Sequence, residues 1–317
     1  MASSLDIKRR IRSINSTKKI TRAMEMVSAA KMRRAIQSVL GIRPYAQGAW
    51  QVLSNLAQAF ESRNEGLLEV REVKSVLMLV VSSNRGLCGS FNAQINKKLK
   101  DESTNFLKLA VNRVGSKKIA TTNASDIKVD YLTIGKKGEA MVKKIKGHIV
   151  ASFPEIANLP SIDLVRPVSD IVIEEYLKKN YDKVVVIYTD FISTLNQKTK
   201  IRQLLPISKI DIEKQLDEID LLAENLNIKA ENLQYKVEPS PVEVLEFIIP
   251  RLLEMQVYHA VLESSASEHS ARMMAMRSAT DAASDMSADL TLAYNQIRQG
   301  KITQEIAEIS AGRAALE

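Results

Sequence analysis

The chain has 317 residues, with 45 Lys and Arg against 37 Asp and Glu and a formal net charge of +8. Residues 1–40 hold ten of the bases and two of the acids, so that segment alone carries +8, while the rest, with 35 of each sign, is neutral. Charge concentrated in this way argues against a protein that coats nucleic acid over its whole surface, and 11 Gly with 8 Pro, about half of ordinary usage, marks a helix-rich globular chain.

Residues 1–40 contain neither Gly nor Pro and read as a long helix, with Ser3 or Ser4 as its cap and Asp6 in its first turn. Ile7, Ile11 and Ile14 form one apolar patch on it, and Ile20, Met24 and Val27 form another. Its bases Lys8, Arg9, Arg10 and Arg12 point to nearly all sides, which is unlike a one-faced membrane-surface helix. The segment has no aromatic residue before Tyr45, which removes the base stacking of a single-strand binder. A phosphate-tracking helix, a positive shaft in a protein sleeve with acidic contacts, and simple solvation all remain open on composition.

The middle of the chain changes texture. Val76 to Ser82 is a continuous apolar strand, followed by the turn Ser83-Asn84-Arg85-Gly86-Leu87-Cys88-Gly89 and a helical pattern from Asn92 to Leu109. Lys117 to Thr121, Val129 to Ile134 and Lys183 to Asp190 read as further strands, with helices at Glu139 to Ile145 and Asp170 to Lys179. This alternation argues a mostly parallel, doubly wound sheet, to which Ile201 to Ile207 and Leu233 to Val237 add edge strands. Lys209 to Glu231, with seven acids and three bases, reads as an acidic helix or linker.

From Arg251 to Gln299 a second stretch lacks Gly and Pro, opened by Pro239, Ser240 and Pro241, with Pro250 as a kink near its start. At 1.5 Å per residue it spans about 75 Å, and about 95 Å if it runs through Gly300 towards Ala315. A compact body of this chain length has a radius of gyration of only about 20 Å, so a helix of that length is expected to project and to need a partner. Met276, Ala283, Leu290 and Ile297 recur every seven residues with Ala279, Met286 and Ala293 between them, an a/d seam; Ile302, Ile306 and Ile309 continue it in shifted phase. The simplest pairing is an antiparallel coiled coil of the two terminal helices. The expected organisation is therefore 1–60 and 241–317 as coiled-coil helices and 61–240 as an inserted Rossmann-like α/β domain.

Candidate chemistry is thin. Arg85 to Gly89 stands where a phosphate loop would, after a strand and before a helix, but has neither the Gly-Lys-Ser/Thr ending nor three spaced glycines, so a tight turn with a packed Cys88 is the expected reading. Gly135-Lys-Lys-Gly138 reads as a similar turn. His259 and Glu263 share a helix face without a third metal ligand at suitable spacing, and His259 reads as a solvated or pairing histidine. No paired catalytic carboxylates and no nucleophile–histidine arrangement stand out, so no catalytic residue, metal or cofactor is expected. Asp281, Asp285 and Asp289 line one helix face, a solvated stripe or a contact for a basic partner. The single Cys88 excludes an internal disulfide framework and fits a reducing cytosolic setting. No apolar run of about 18 residues occurs and Met1 to Arg10 has no apolar core behind its charges, so neither a membrane span nor a secretory signal is expected.

Five motifs carry a family resemblance: Thr17 to Arg34 (TKKITRAMEMVSAAKMRR), Ser83 to Asn92 (SNRGLCGSFN), Phe191 to Ile207 (FISTLNQKTKIRQLLPI), Ala271 to Thr280 (ARMMAMRSAT) and Tyr294 to Ile309 (YNQIRQGKITQEIAEI). In this order, over nearly the whole chain, they resemble the gamma subunit of bacterial rotary ATP synthases. The resemblance implies a non-catalytic central rotor shaft that couples proton flow through a membrane ring of c subunits to conformational change at the catalytic beta subunits. It implies alpha, beta and epsilon subunits and the c ring as partners, no nucleic acid, and a peripheral place on the cytoplasmic face of the plasma membrane. Carried over residue by residue, Lys18, Lys19, Arg22 and Met24 would pass acidic lever loops of beta, Arg298, Gln299 and Thr303 would contact beta, and Ile302 to Leu316 would turn in an apolar bearing. Chloroplast relatives carry a regulatory cysteine pair, which a chain with Cys88 alone cannot form.

Overall fold

A computed structural model describes residues 4–55, 66–104, 111–114, 117–120, 127–158, 160–207 and 240–314. The elements in chain order are α1 (Ser4–Asn55), a 3-10 turn (Gly66–Leu68), β1 (Ser75–Val81), α2 (Phe91–Thr104), β2 (Val111–Val114), β3 (Lys117–Ala120), β4 (Lys128–Ile134), α3 (Lys136–Lys144), β5 (His148–Phe153), α4 (Ile162–Leu177), β6 (Lys183–Phe191), β7 (Gln197–Leu205) and α5 (Pro241–Ala314). The expected strand Leu233 to Val237 and the acidic segment Lys209 to Glu231 lie outside the described residues. By contact density the chain divides into two units, one formed by Ala30–Ala271 and one by Met1–Ala29 with Arg272–Glu317, so α1 and α5 each contribute to both.

The larger unit is built on a five-stranded sheet of order β5-β4-β1-β6-β7, parallel except for the antiparallel β6–β7 hairpin. Both faces of the sheet are covered, which is why β1 reads as an unbroken apolar run and not as an alternation. Leu77, Leu79 and Val81 look to one side, where Val165, Val168, Val172 and Tyr176 of α4 and Leu253, Val257 and Val261 of α5 complete a core. Val76, Met78 and Val80 look to the other, against Phe91, Ile95 and Leu99 of α2 and Val142 of α3. This is the doubly wound arrangement expected from the sequence.

Some elements differ from the expectation. The strand at Lys117 belongs to a separate two-stranded antiparallel sheet with β2, whose short sequence Val-Asn-Arg-Val gives little signal. β5 is an additional edge strand, and its half-exposed residues lack the apolar run that marks its neighbours. α4 begins eight residues before the expected Asp170, because Ser161 caps it by accepting from Leu164 N while Pro167, inside the helix, masks the pattern. α1 runs on past Leu40 through Gly41, Pro44 and Gly48, and α5 runs through Pro250 and Gly300. Ser240 caps the start of α5: Glu243 N donates to Ser240 Oγ at 3.2 Å, and Ser240 Oγ donates to Glu243 Oε1 at 2.9 Å.

Within this unit α5 is buried from Leu252 to Ser270 on almost every side, although the stretch includes Glu254, Gln256, His259, Glu263, Ser267 and Ser270. Several of these polar groups are tied to neighbours. Arg166 Nε and Arg251 NH1 reach the two oxygens of Glu254 at 3.0 and 2.9 Å, Ser267 Oγ donates to Thr189 O at 3.2 Å, and Ser270 Oγ donates to Thr194 O at 2.8 Å. His259 is not the solvated residue allowed by the sequence: it is 0% exposed, neither ring nitrogen has a hydrogen-bond partner, and Glu263 Oε1 lies 3.7 Å from Nε2. Burial first, then the charge of Arg202, pushes its pKa down to about 3, so the imidazole is neutral near neutral pH.

Two stability predictions follow from this core. A Cβ on Gly135 would sit 2.2 Å from the Ser82 carbonyl oxygen, at a backbone φ of +92°, so Gly135→Ala is expected to cost about 3 kcal/mol or more in urea unfolding. His259 has a folded pKa below its value of 6.5 in the unfolded chain, so unfolding takes up a proton in the window between about 6.5 and about 3. Stability is therefore full above that window and falls through it as pH drops, at up to about 1.4 kcal/mol per pH unit from this group. His259→Leu is expected to flatten the acid limb of the melting-temperature profile.

Candidate functional site

In the smaller unit α1 and α5 run antiparallel: Thr280 meets Thr21 and Ser287 meets Asn15, so one index rises as the other falls. The inward positions on α1 are Ile7, Ile11, Ile14, Thr21 and Ser28, with Lys18 and Met24 half-buried between them. On α5 they are Met276, Ala279, Thr280, Ala283, Ser284, Ser287, Leu290, Ala293, Tyr294 and Ile297. The seven-residue series from Met276 to Ile297 faces inward as expected, but Ile20, Val27 and Met286 do not: all three are more than half exposed. Thr21, Ser28 and Ser287 take the places assigned to them.

The reason is local hydrogen bonding. A hydroxyl on a helix can donate to the carbonyl three or four residues back, so it enters a tight interface without an orphaned polar group. Thr21 Oγ1 donates to Lys18 O at 3.1 Å, Ser28 Oγ to Met24 O at 2.7 Å and Ser284 Oγ to Thr280 O at 2.9 Å. Thr280 Oγ1 lies 2.8 Å from Met276 O and 2.7 Å from Thr21 Oγ1. Short side chains then allow the close approach that Ile20, Val27 and Met286 would obstruct. A series that counts hydroxyls as seam residues, Ile7, Ile14, Thr21 and Ser28, recovers the α1 face from sequence; an apolar-only count misses it.

Beside this seam lies an open groove of about 690 Å³ lined by Asn15, Lys18, Lys19, Arg22, Ala23, Met26 and Thr280. Three of the expected site residues, Lys18, Lys19 and Arg22, therefore share one surface. Met24 sits on the seam side and is not part of the groove. Arg22 NH1 is 3.0 Å from Glu25 Oε2, but its side chain is 60% exposed, and such a surface pair adds little. Arg298, Gln299 and Thr303 are exposed on α5, with Thr303 Oγ1 donating to Gln299 O at 3.0 Å. They stand 18 or more residues beyond Thr280, roughly 30 Å along the helix, so the expected site residues form two separate patches. Ile302, Ile306 and Ile309 beside the second patch are 47, 59 and 74% exposed, and Asp281, Asp285 and Asp289 are exposed on the same helix. Leu316 lies outside the described residues.

The two turns weighed as phosphate loops are held by their own side chains. Asn92 Nδ2 donates to Ser83 Oγ at 2.7 Å and to the buried Cys88 Sγ at 3.1 Å, and Ser83 Oγ donates to Arg85 O at 2.7 Å. Asn84 Nδ2 reaches Pro154 O at 2.6 Å while its Oδ1 accepts from Lys136 N at 2.9 Å, and Ser82 Oγ accepts from Gly138 N at 2.6 Å. The turns tie β1 to the ends of β4 and β5. Among the described residues no group of three His, Cys, Asp or Glu side chains is placed to hold a metal ion.

A family model described as ATP synthase matches residues 3–316. The ATP synthase gamma chain of Chloroflexus aurantiacus is 41% identical over 319 aligned positions, covering 100% of this chain and 99% of that one. The gamma chain of Legionella pneumophila (strain Corby) is 35% identical over 316, covering 100% of both. Among solved structures, a chain of the Euglena gracilis mitochondrial ATP synthase (OSCP/F1/c-ring, rotational state 3) aligns over 99% of this chain and 94% of its own, with a TM-score of 0.61 at 16% identity. One from the central stalk and c-ring of the Tetrahymena thermophila mitochondrial enzyme covers 82% of this chain and 99% of its own, with a TM-score of 0.54 at 24% identity. The solved structures match the fold, and the family match together with relatives of this identity over the whole length establishes that the chain belongs to the ATP synthase gamma-chain family.

Proposed function

We propose that the chain is the central rotor shaft of a bacterial ATP synthase, coupling proton flow through the c ring to conformational change at the catalytic beta subunits while catalysing nothing itself. The observation that carries this reading is the family match over the full length, which spans both terminal helices and the sheet between them. In this reading 1–60 and 241–317 serve as the shaft helices within the head of alpha and beta subunits. Residues 61–240 are the foot that rests, with epsilon, on the c ring. None of the described helices is long and apolar enough to cross a membrane. Attachment to the cytoplasmic face of the plasma membrane is accordingly assigned to partners.

The physical requirements of a shaft agree with the two-helix unit. A rotating element must present different surfaces in turn without being held by any one of them. The exposed bases Lys19 and Arg22, with half-buried Lys18, offer non-directional attraction to acidic levers, and exposed isoleucines offer a slippery apolar surface for a bearing. Met24, Arg298, Gln299 and Thr303 are assigned to the same beta contacts.

Reversing the groove charge with Lys18→Glu, Lys19→Glu and Arg22→Glu together is expected to lower proton pumping per ATP hydrolysed severalfold in inverted membrane vesicles. Pumping equal to that of the unmodified chain would remove the proposed lever contact. The wider reading is tested by purification from membranes: the chain should come away with alpha and beta subunits, and recovery with DNA in their absence would overturn it.

A further inference from the structure

Within the two-helix unit, one contact joins a buried side chain of α1 directly to a buried side chain of α5 through polar atoms. Thr21 and Thr280 are 8 and 6% exposed, and their hydroxyl oxygens are 2.7 Å apart, although 259 residues separate them in the chain. Thr21 spends its own proton on Lys18 O, which leaves its oxygen free to accept from Thr280. The result is a short relay from α5 into the backbone of Lys18, a residue that lines the basic groove together with Thr280 itself. Around the pair stand Ala279, Ala283 and Ser284, side chains too small to interlock as knobs. Small seams let helices approach closely but discriminate poorly between neighbouring registers, and a buried polar pair is the device that fixes register in such seams.

We infer that the Thr21–Thr280 hydroxyl pair is the register lock of the two helices, and that by fixing α1 against α5 it positions the groove formed by Lys18, Lys19, Arg22 and Thr280. The coupling part of this inference rests on the rotor reading; the register part does not. The lock has an unusual property that makes it testable. Removing either hydroxyl strands no other group: without Thr280, Thr21 still donates to Lys18 O, and without Thr21, Thr280 still reaches Met276 O. A Val at either place keeps the shape of Thr and removes the bond between helices together with that residue's contact to its own helix, while the opposite hydroxyl keeps a backbone acceptor.

The test uses the full-length chain with Asn15→Cys and Ser287→Cys, replacing side chains that touch at 3.1 Å, while the buried Cys88 stays out of reach of oxidant. Disulfide formation between the two new cysteines under mild oxidation reports the register. Thr280→Val is expected to slow it roughly fivefold, the worth of one net hydrogen bond, and Thr280→Ser to restore it. A rate unchanged by Thr280→Val, or Thr280→Ser as slow as Thr280→Val, overturns the lock. Thr21→Val, which reaches the same bond from the other helix, should reproduce the Thr280→Val rate, and a normal rate there overturns it as well. After reassembly with alpha and beta subunits on membranes holding the c ring, Thr280→Val should also lower protons pumped per ATP hydrolysed, with rescue by Thr280→Ser. Slowed cross-linking with an unchanged ratio overturns the link to coupling. Failure of the unmodified chain to restore any pumping strikes the rotor reading alone, and the cross-linking rates still decide the register.

Discussion

The close approach of α1 and α5 depends on hydroxyl groups that bury themselves against their own helix. Two helices can come near only if the side chains between them are short, and alanine alone would leave a featureless contact. Thr21, Ser28, Thr280 and Ser284 are short and polar: each donates to, or lies within reach of, a carbonyl of its own helix, so none enters the seam as an orphan, and Thr21 and Thr280 also meet each other through their oxygens. Larger apolar residues are displaced to the outside as a consequence. Ile20, Met26, Val27 and Met286 are all more than half exposed, leaving apolar surface available to whatever surrounds the pair.

The larger unit follows from a different constraint. A parallel sheet must be covered on both faces, and here α2 and α3 cover one while α4 and α5 cover the other. The same α5 that is exposed along much of its C-terminal half is enclosed between Leu252 and Ser270. That stretch is not an apolar helix, so its burial needs partners for polar groups: Arg166 and Arg251 serve Glu254, and the backbone of β6 and of the turn that follows it serves Ser267 and Ser270. His259 is the one member whose ring nitrogens find no hydrogen bond, and its depressed pKa is the response: the site tolerates the neutral ring and excludes the charged one.

What the sequence made legible tracks how strongly one force dominates a segment. β1 and β6, apolar on both faces, and the Gly- and Pro-poor terminal helices are unambiguous because burial and backbone propensity agree. β5 escaped because an edge strand is half exposed, and the start of α4 because Pro167 interrupts the pattern after a good cap at Ser161. His259 read as solvated or pairing, and its enclosure was not legible because burial of a polar helix depends on elements distant in sequence. The groove was partly legible: Lys18, Lys19 and Arg22 are spaced to share a face, but Thr280 closes it from the other end of the chain. In the seam itself, counting only apolar residues turned the α1 face towards Ile20 and Val27, when the seven-residue series through Thr21 and Ser28 was the better guide.

Charge explains why a polar lock is needed at all. The paired helices carry unlike signs near their meeting point, with Lys18, Lys19 and Arg22 on α1 and Asp281, Asp285 and Asp289 on α5. Apart from half-buried Lys18, these groups are exposed, and salt at cellular strength screens their fields beyond about 8 Å. Such an attraction draws the helices together but changes little when one slides a few ångströms past the other, because the charges repeat along each helix. Short-range contacts must therefore choose the register. Where the seam is lined by Ala279, Thr280, Ala283 and Ser284, the contact with the steepest dependence on position is a buried hydrogen bond, which weakens steeply once distance and angle depart from their optimum. The basic excess of the first forty residues thus supplies attraction without address, and the hydroxyl pair supplies the address.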